Sequence, residues 1–510
     1  MMKVALIRQD DQWPELPQLA DAEKMLWQDL TLQPLLDFMA QKDAYLIDII
    51  PRTLCQSLQT ETAVYYCQAA VQDALALPDL IQQLYDQVVA CQAAAQKVTW
   101  GIFTGSVTYQ LYSNTQLLQT YLAGITTLLK SPHGSVQSAN FKAFWTRLDQ
   151  TFAPEKMKQM WHVVNALTAT DHEYAYPAQL QVGCLGQIGE LFYSPPQSKL
   201  GDLVSGWTNR YHADTSDFYI AERDENSDQA AARNLGQAAY HLTTVLINTT
   251  AELARFFAEL KWQLGFLLGA VRLHQSLPSD CPLTYPKIAA TTVIQRLQNL
   301  TLLLAQGQTA AVIGNDFQPQ QQPLTVVTGA NQGGKTVFLR SLGQAQIFTQ
   351  AGLFIPAQAG QLPLYAHVLT HFKREEDQQM TSGKLAEELQ RFAGLTTDLR
   401  GRNLFLMNES FASTNAHEGA LINREILTGL IKGGQTVVAV SHLTDLAALL
   451  PPEIQDQTLF LRAQREQSGQ RTYRILPGLP EVTSYGIDIF DRYFQDVPGG
   501  LILSKKVTPS

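Results

Sequence analysis

Apolar residues over positions 1–285 recur at intervals of three and four. Leu253, Phe256, Phe257, Leu260, Leu264, Leu267, Leu268 and Val271 share one helical face, and Leu80, Leu84, Val88 and Cys91 share another. Stripes of this width are core-facing helix surfaces. Strand-turn-strand punctuation is scarce in this half. The exception, Gln181 to Asp202, is rich in Gly and Pro and predicts an irregular excursion or small strands between helices. Three prolines between Ser276 and Ile288 mark a linker. From residue 289 the texture changes. Short apolar runs, Leu324 to Val327, Leu404 to Met407 and Val437 to Val440, are each followed by a polar or Gly-rich loop and then a helix. That alternation predicts a wound α/β domain. The expected fold class is therefore multidomain α and α/β: a mostly helical region over residues 1–285, then a wound α/β domain over residues 286–510.

Composition changes this picture little. Of 510 residues, 45% are hydrophobic and 16% charged, which is enough apolar material for large cores. The net charge of −9 lacks the basic balance of a dedicated nucleic-acid binder, although it leaves local basic patches open. Cys55, Cys67, Cys91, Cys184 and Cys281 form no CxxC pair and no zinc spacing, and read as buried free thiols in a reducing cytosol. The N-terminus carries no apolar signal region. The most apolar helical stretch, Leu253 to Val271, is interrupted by Arg255, Glu259 and Lys261. A soluble, cytoplasmic protein with no membrane partner is expected.

The chemistry lies in the second half. Gly329-Ala330-Asn331-Gln332-Gly333-Gly334-Lys335-Thr336 fits GxxxxGK[ST] at every fixed position, between a strand and a helix. Its glycines let backbone N–H groups turn inward onto phosphate oxygens. Lys335 is placed to reach the β- and γ-phosphates of ATP, and the Thr336 hydroxyl to bind Mg²⁺. Next, the apolar run Leu404 to Met407 ends in Asn408-Glu409, the form of a Walker B strand. The first polar residue of such a strand is ordinarily an Asp that helps hold Mg²⁺; here it is Asn408. Glu409 stands where a general base can activate water. Finally, the strand Thr436 to Val440 runs into Ser441-His442, and a His just past a strand end can contact the γ-phosphate or the attacking water.

These residues carry a resemblance to the MutS family. The phosphate loop resembles the family's GPNMGGKS, Asn408 to Gly419 resembles DEIGRGTSTYDG, and Val440 to Leu446 resembles ATHYHEL. Ala351 to Ala357 is similar to the end of the family's first ATPase helix, and Ser484-Tyr485-Gly486-Ile487 to the SYGI after its last strands. A weaker similarity runs upstream into the family's core and lever helices, and Ile313 to Asp316 resembles its short motif before the phosphate loop. The resemblance implies an ABC-type ATPase that binds ATP and ADP with Mg²⁺. It also implies a homodimer with composite sites, each closed by a signature segment of the other subunit. Here that segment is Thr381 to Glu388, with Ser382 donating to the γ-phosphate; read on its own, Ser382 caps the following helix. The aromatic that stacks on adenine in relatives is Val312. The family's mismatch-reading and connector domains are expected to be missing before residue 30. Two functions are therefore expected: an ATP-gated clamp acting on DNA in repair or recombination without direct mismatch reading, or a nucleotide-dependent protein scaffold or switch that binds no DNA.

Overall fold

The computed structural model describes residues 3–8, 16–99, 107–168, 178–182, 188–193, 225–307, 311–329, 332–374, 383–397, 399–442, 446–465 and 471–480. The chain divides into two compact units: residues 1–13 with 69–271, and residues 14–68 with 272–510.

The first unit is helical. Its principal helices are Pro78–Thr99, Val107–Leu129, Ala139–Thr151, Pro154–Thr168 and the greater part of Glu225–Ser276. The stripe read from sequence is its core: Phe256, Phe257, Leu260, Leu264, Leu267 and Leu268 are all buried. Helix Val107–Leu129 crosses its neighbours closely at Gly124, where an added Cβ would lie 2.5 Å from Cys91 Sγ and 2.9 Å from Phe257. Buried polar groups fix the loops. The Asp73 carboxylate accepts from the Gln137 and Ser138 backbone N–H groups, and Gln263 Oε1 accepts from those of Leu6 and Ile7. A hairpin, β1 (Ala178–Val182) with β2 (Ile188–Tyr193), overlaps the first part of the Gly- and Pro-rich stretch, of which residues 183–187 and 194–202 lie outside the described residues.

The second unit is α/β and holds two sheets. The larger contains β6 (Leu324–Thr328), β8 (Val368–Phe372), β9 (Leu404–Asn408), β10 (Thr436–Val440), β11 (Thr458–Arg465) and β12 (Arg471–Pro477), in the order β12-β11-β6-β10-β9-β8. All neighbours are parallel except β11 and β12. Every residue of β6 and β10 is buried, as expected of strands covered on both faces. One face packs Val326, Phe405, Met407, Val437 and Ala439 against helix Ala416–Lys432. On the other, Leu406 approaches Gly343 of helix Lys335–Gln350. A smaller mixed sheet joins β3 (Lys287–Ile288), β7 (Ala359–Leu362), β4 (Val293–Leu297) and β5 (Asn315–Phe317).

Residues 14–68 join this unit, far upstream of the boundary at 285/286 that the sequence texture suggests. Their leucines bury a helical face, which periodicity predicts; what they bury it against, periodicity does not predict. Arg340 Nε donates to the Asp29 carbonyl at 2.8 Å, Gln344 Nε2 to the Leu30 carbonyl at 3.0 Å, and the Leu58 N–H to the Gln350 carbonyl at 2.8 Å. The three-proline segment is likewise more than a linker: it carries β3, and Thr284 bridges to Ile355. The cysteines only partly match expectation. Cys67 and Cys91 are buried, Cys55 and Cys281 are half-buried, and Cys184 lies outside the described residues. Burial pushes the Cys55 and Cys91 thiols up to about 12.

Candidate nucleotide site

The site begins where β6 ends. Gly329 (φ +116°) and Gly334 (φ +90°) turn the chain through left-handed backbone that glycine enters without penalty. A Cβ on Gly329 would also come within 3.0 Å of the Ala463 backbone nitrogen. Gly334 caps helix Lys335–Gln350, so the helix's first N–H groups and the positive end of its dipole face the loop. Lys335 is buried, and its Nζ donates to the Gly329 carbonyl at 2.7 Å, closing the loop on itself. Burial lowers the pKa of this ammonium, and the Glu409 carboxylate opposes the shift. Ala330, Asn331, Thr381 and Ser382 lie outside the described residues. Gly383 takes the N-cap position of helix Lys384–Thr396.

Parallel register levels the strand ends. Val440 stands opposite both Val327 and Asn408. The phosphate loop, Glu409 and His442 therefore leave the sheet along one edge, at the carboxyl ends of adjacent strands, where open α/β sheets place their ligands. Thr336 Oγ1 donates to Asn408 Oδ1 at 3.0 Å. Glu409 has φ +50° and donates its backbone N–H to the Val440 carbonyl at 2.9 Å. His442 Nδ1 lies 3.9 Å from Glu409 Oε1.

A cavity of about 660 Å³ opens over these groups, with Val312, Gln332, Lys335, Thr336, Glu409 and Tyr473 on its walls. That volume suits a ligand of nucleotide size. The loop's N–H groups and Lys335 fit phosphate oxygens. The Thr336 hydroxyl and the Asn408 amide are hard oxygen donors that fit Mg²⁺, though Asn408 brings no charge. Among the described residues no group of three or more His, Cys, Asp or Glu could hold a metal ion, and no helix is long and apolar enough to cross a membrane. A second cavity, about 300 Å³, lies at the amino ends of the strands by Thr325, Leu404 and Thr436. Its one cation, Arg402, is bonded to Thr436 and lies over Tyr365.

Sequence reasoning missed Tyr473. It sits on edge strand β12 with φ +57° and is half-exposed into the cavity. Asn315 brackets its backbone: Nδ2 donates to the Tyr473 carbonyl at 3.2 Å, and Oδ1 accepts from the Ile475 N–H at 2.7 Å. No local signal in Arg471 to Leu476 marks a left-handed residue, because the bracket comes from another sheet.

Comparison with known proteins bears on both units. Residues 59–279 match the profile of the MutS2 N-terminal domain, and residues 325–502 match that of MutS domain V. The chain is 30% identical over 184 residues to the endonuclease MutS2 of Lactiplantibacillus plantarum, covering 35% of this chain and 22% of that relative. It is 27% identical over 180 residues to the DNA mismatch repair protein MutS of Thermotoga maritima, again 35% of this chain and 22% of the relative. Similarity to the endonuclease MutS2 of Latilactobacillus sakei subsp. sakei runs over 228 residues at 29% identity, 44% of this chain and 28% of that relative. The chain thus spans about a quarter of the length of these curated relatives.

Proposed function

The chain belongs to the MutS family, and from that premise we propose that it is a Mg²⁺-dependent ATPase acting on DNA in repair or recombination, as an ATP-gated dimeric clamp that does not itself read mismatches. The observation that carries the ATPase reading is the 3.0 Å contact between Thr336 and Asn408, which joins the phosphate loop to the strand that bears Glu409.

In this reading the phosphates of ATP lie along Gly329 to Thr336, including Ala330, Asn331, Gln332 and Gly333. Lys335 exchanges the Gly329 carbonyl for phosphate oxygens. Thr336 and Asn408 would hold Mg²⁺, which would supply positive charge against the phosphate oxygens. Glu409 orients and activates the attacking water, with His442 beside it. Tyr473 offers the base a stacking surface that Val312 cannot. Without a carboxylate at Asn408, Mg²⁺ binds weakly and hydrolysis is slow, while ATP binding is largely kept. Ser382 of the partner subunit's copy completes the site in a homodimer, and the protein works in the cytoplasm.

Lys335→Ala tests the site. The expected result is loss of ATP binding or turnover with an unchanged circular dichroism spectrum; wild-type affinity and turnover would remove the loop from the mechanism. The net charge of −9 favours a second reading, a nucleotide-dependent protein scaffold. A DNA mobility shift separates the two: a clamp binds the probe and weakens steeply with salt, whereas a scaffold leaves the probe free at low salt.

A further inference from the structure

Glu409 stands in a turn that other groups must hold. Both Glu409 (φ +50°) and Phe411 (φ +58°) occupy left-handed backbone, which non-glycine residues keep only when their surroundings fix it. The residue between them is anchored on two sides. Asn423 Nδ2 donates to the Ser410 carbonyl at 2.9 Å. On β8, His371 meets Ser410 twice: its carbonyl accepts from Ser410 Oγ at 2.8 Å, and its Nδ1 lies 2.8 Å from the same hydroxyl. The Phe411 ring stacks on the His371 imidazole, with centroids 5.0 Å apart and planes 22° from parallel.

Counting protons orients this bond. The Ser410 hydroxyl has one hydrogen and gives it to the His371 carbonyl, so Nδ1 is the donor to Ser410. A neutral imidazole has no second N–H, and Nε2 therefore accepts, from Arg391 Nη2 at 3.2 Å. The other tautomer would satisfy the Glu388 carbonyl, 3.2 Å from Nε2, but would lose two bonds to gain one. Burial, with Arg391 and Arg374 nearby, keeps the ring neutral by pushing its pKa down to about 3.

Arg391 and Glu388 belong to helix Lys384–Thr396, which continues from the candidate signature segment. Glu388 Oε1 accepts from Ser413 Oγ at 3.1 Å, and its buried Oε2 has no hydrogen-bond partner among the described residues. This helix thus grips the turn around Glu409 twice, through His371 to Ser410 and through Glu388 to Ser413.

We propose that His371 is a positioning residue for hydrolysis: bonded to Arg391 on one side and Ser410 on the other, it sets the Glu409 turn in register with helix Lys384–Thr396. It acts on turnover and leaves nucleotide binding alone. The proposal rests on Glu409 being the general base.

The experiment compares kcat, KM for ATP and affinity for a non-hydrolysable ATP analogue in the full chain. His371→Phe keeps the ring stack and removes both side-chain bonds; Ser410→Ala removes the same link from the other side; His371→Asn returns a donor toward Ser410. The expected result is a fall in kcat of about tenfold or more in His371→Phe and Ser410→Ala, with KM and analogue affinity within about twofold. The double variant is no slower than the slower single one, and His371→Asn recovers part of the rate. Unchanged kcat, or kcat and analogue affinity falling together, overturns the proposal. If His371→Phe does not fold, Ser410→Ala carries the test with the same readouts. Glu409→Gln separates the premise. Wild-type turnover in Glu409→Gln overturns the base assignment, as does a wild-type chain that does not hydrolyse ATP. An inactive Glu409→Gln beside a fully active Ser410→Ala overturns the positioning role alone.

Discussion

Asn408 is a side chain one atom type away from the usual metal ligand, and it already accepts the Thr336 hydroxyl. Asn408→Asp keeps the shape and adds the charge. Half-maximal turnover is then expected at Mg²⁺ concentrations on the order of tenfold lower, the size of one charge-assisted contact of about 1.5 kcal/mol. A Mg²⁺ titration of turnover checks this, and a sharp loss of activity would place Asn408 outside the metal's shell. His371 yields a stability prediction independent of its catalytic one. Its pKa is about 3 in the folded protein against 6.5 for the free side chain, so the unfolded chain binds a proton that the folded chain refuses. Stability from this group is complete above pH 6.5 and is lost as pH falls toward 3. Between pH 7.5 and pH 5 the loss is about 2 kcal/mol. Urea titrations of wild type and His371→Phe at both pH values isolate the term: the variant is expected to lose that much less. The placement of Lys335, Thr336, Asn408 and Glu409 beside the ends of β6 and β9 is legible in sequence because fixed spacing after a strand dictates where they go. His371 and Tyr473 are not, since each derives its role from partners that lie distant in the chain, Ser410 and Arg391 for one and Asn315 for the other.

Elements are legible where burial is two-sided or strictly periodic. The apolar runs at Leu324, Leu404 and Val437 are buried strands, each within a residue of its predicted length. Partner choice is harder to read. Nothing in the Leu30 to Leu36 stripe says that it packs within the α/β unit, Leu30 on the phosphate-loop helix and helix Gln33–Ala40 on helix Leu300–Gln306. Gly352 shows how tight the packing of another upstream segment is. It follows helix Lys335–Gln350 with φ +73°, and a Cβ there would lie 2.4 Å from the Cys67 Cβ. Gly352→Ala combines left-handed strain with overpacking against a buried neighbour, and is expected to destabilise the protein by about 3 kcal/mol. Chemical denaturation measures it. A loss under about 1 kcal/mol would mean that residues 67 and 352 separate easily, since that is the low end for overpacking alone.

At the scale of the whole molecule, the composite-site proposal makes a demand that no single subunit can meet. Mixing a Lys335→Ala subunit with a Ser382→Ala subunit puts both defects in one site of the heterodimer and leaves the other intact. Some activity is expected to return on mixing; if demonstrated subunit exchange restores none, each subunit works alone and Ser382 has no part in a partner's site. The division of the chain has a different consequence, one of time. Residues 14–68 belong with strands and helices encoded after residue 272. On a ribosome they emerge before those elements and wait while more than two hundred residues are made, about 10–40 s at ordinary elongation rates. Until helices Leu300–Gln306 and Lys335–Gln350 appear, the segment from Leu30 to Leu36 lacks neighbours that the finished fold sets against it. Nascent chains stalled near residue 271 are therefore expected to be cut by protease within residues 14–68. Chains released at full length are expected to resist cleavage there.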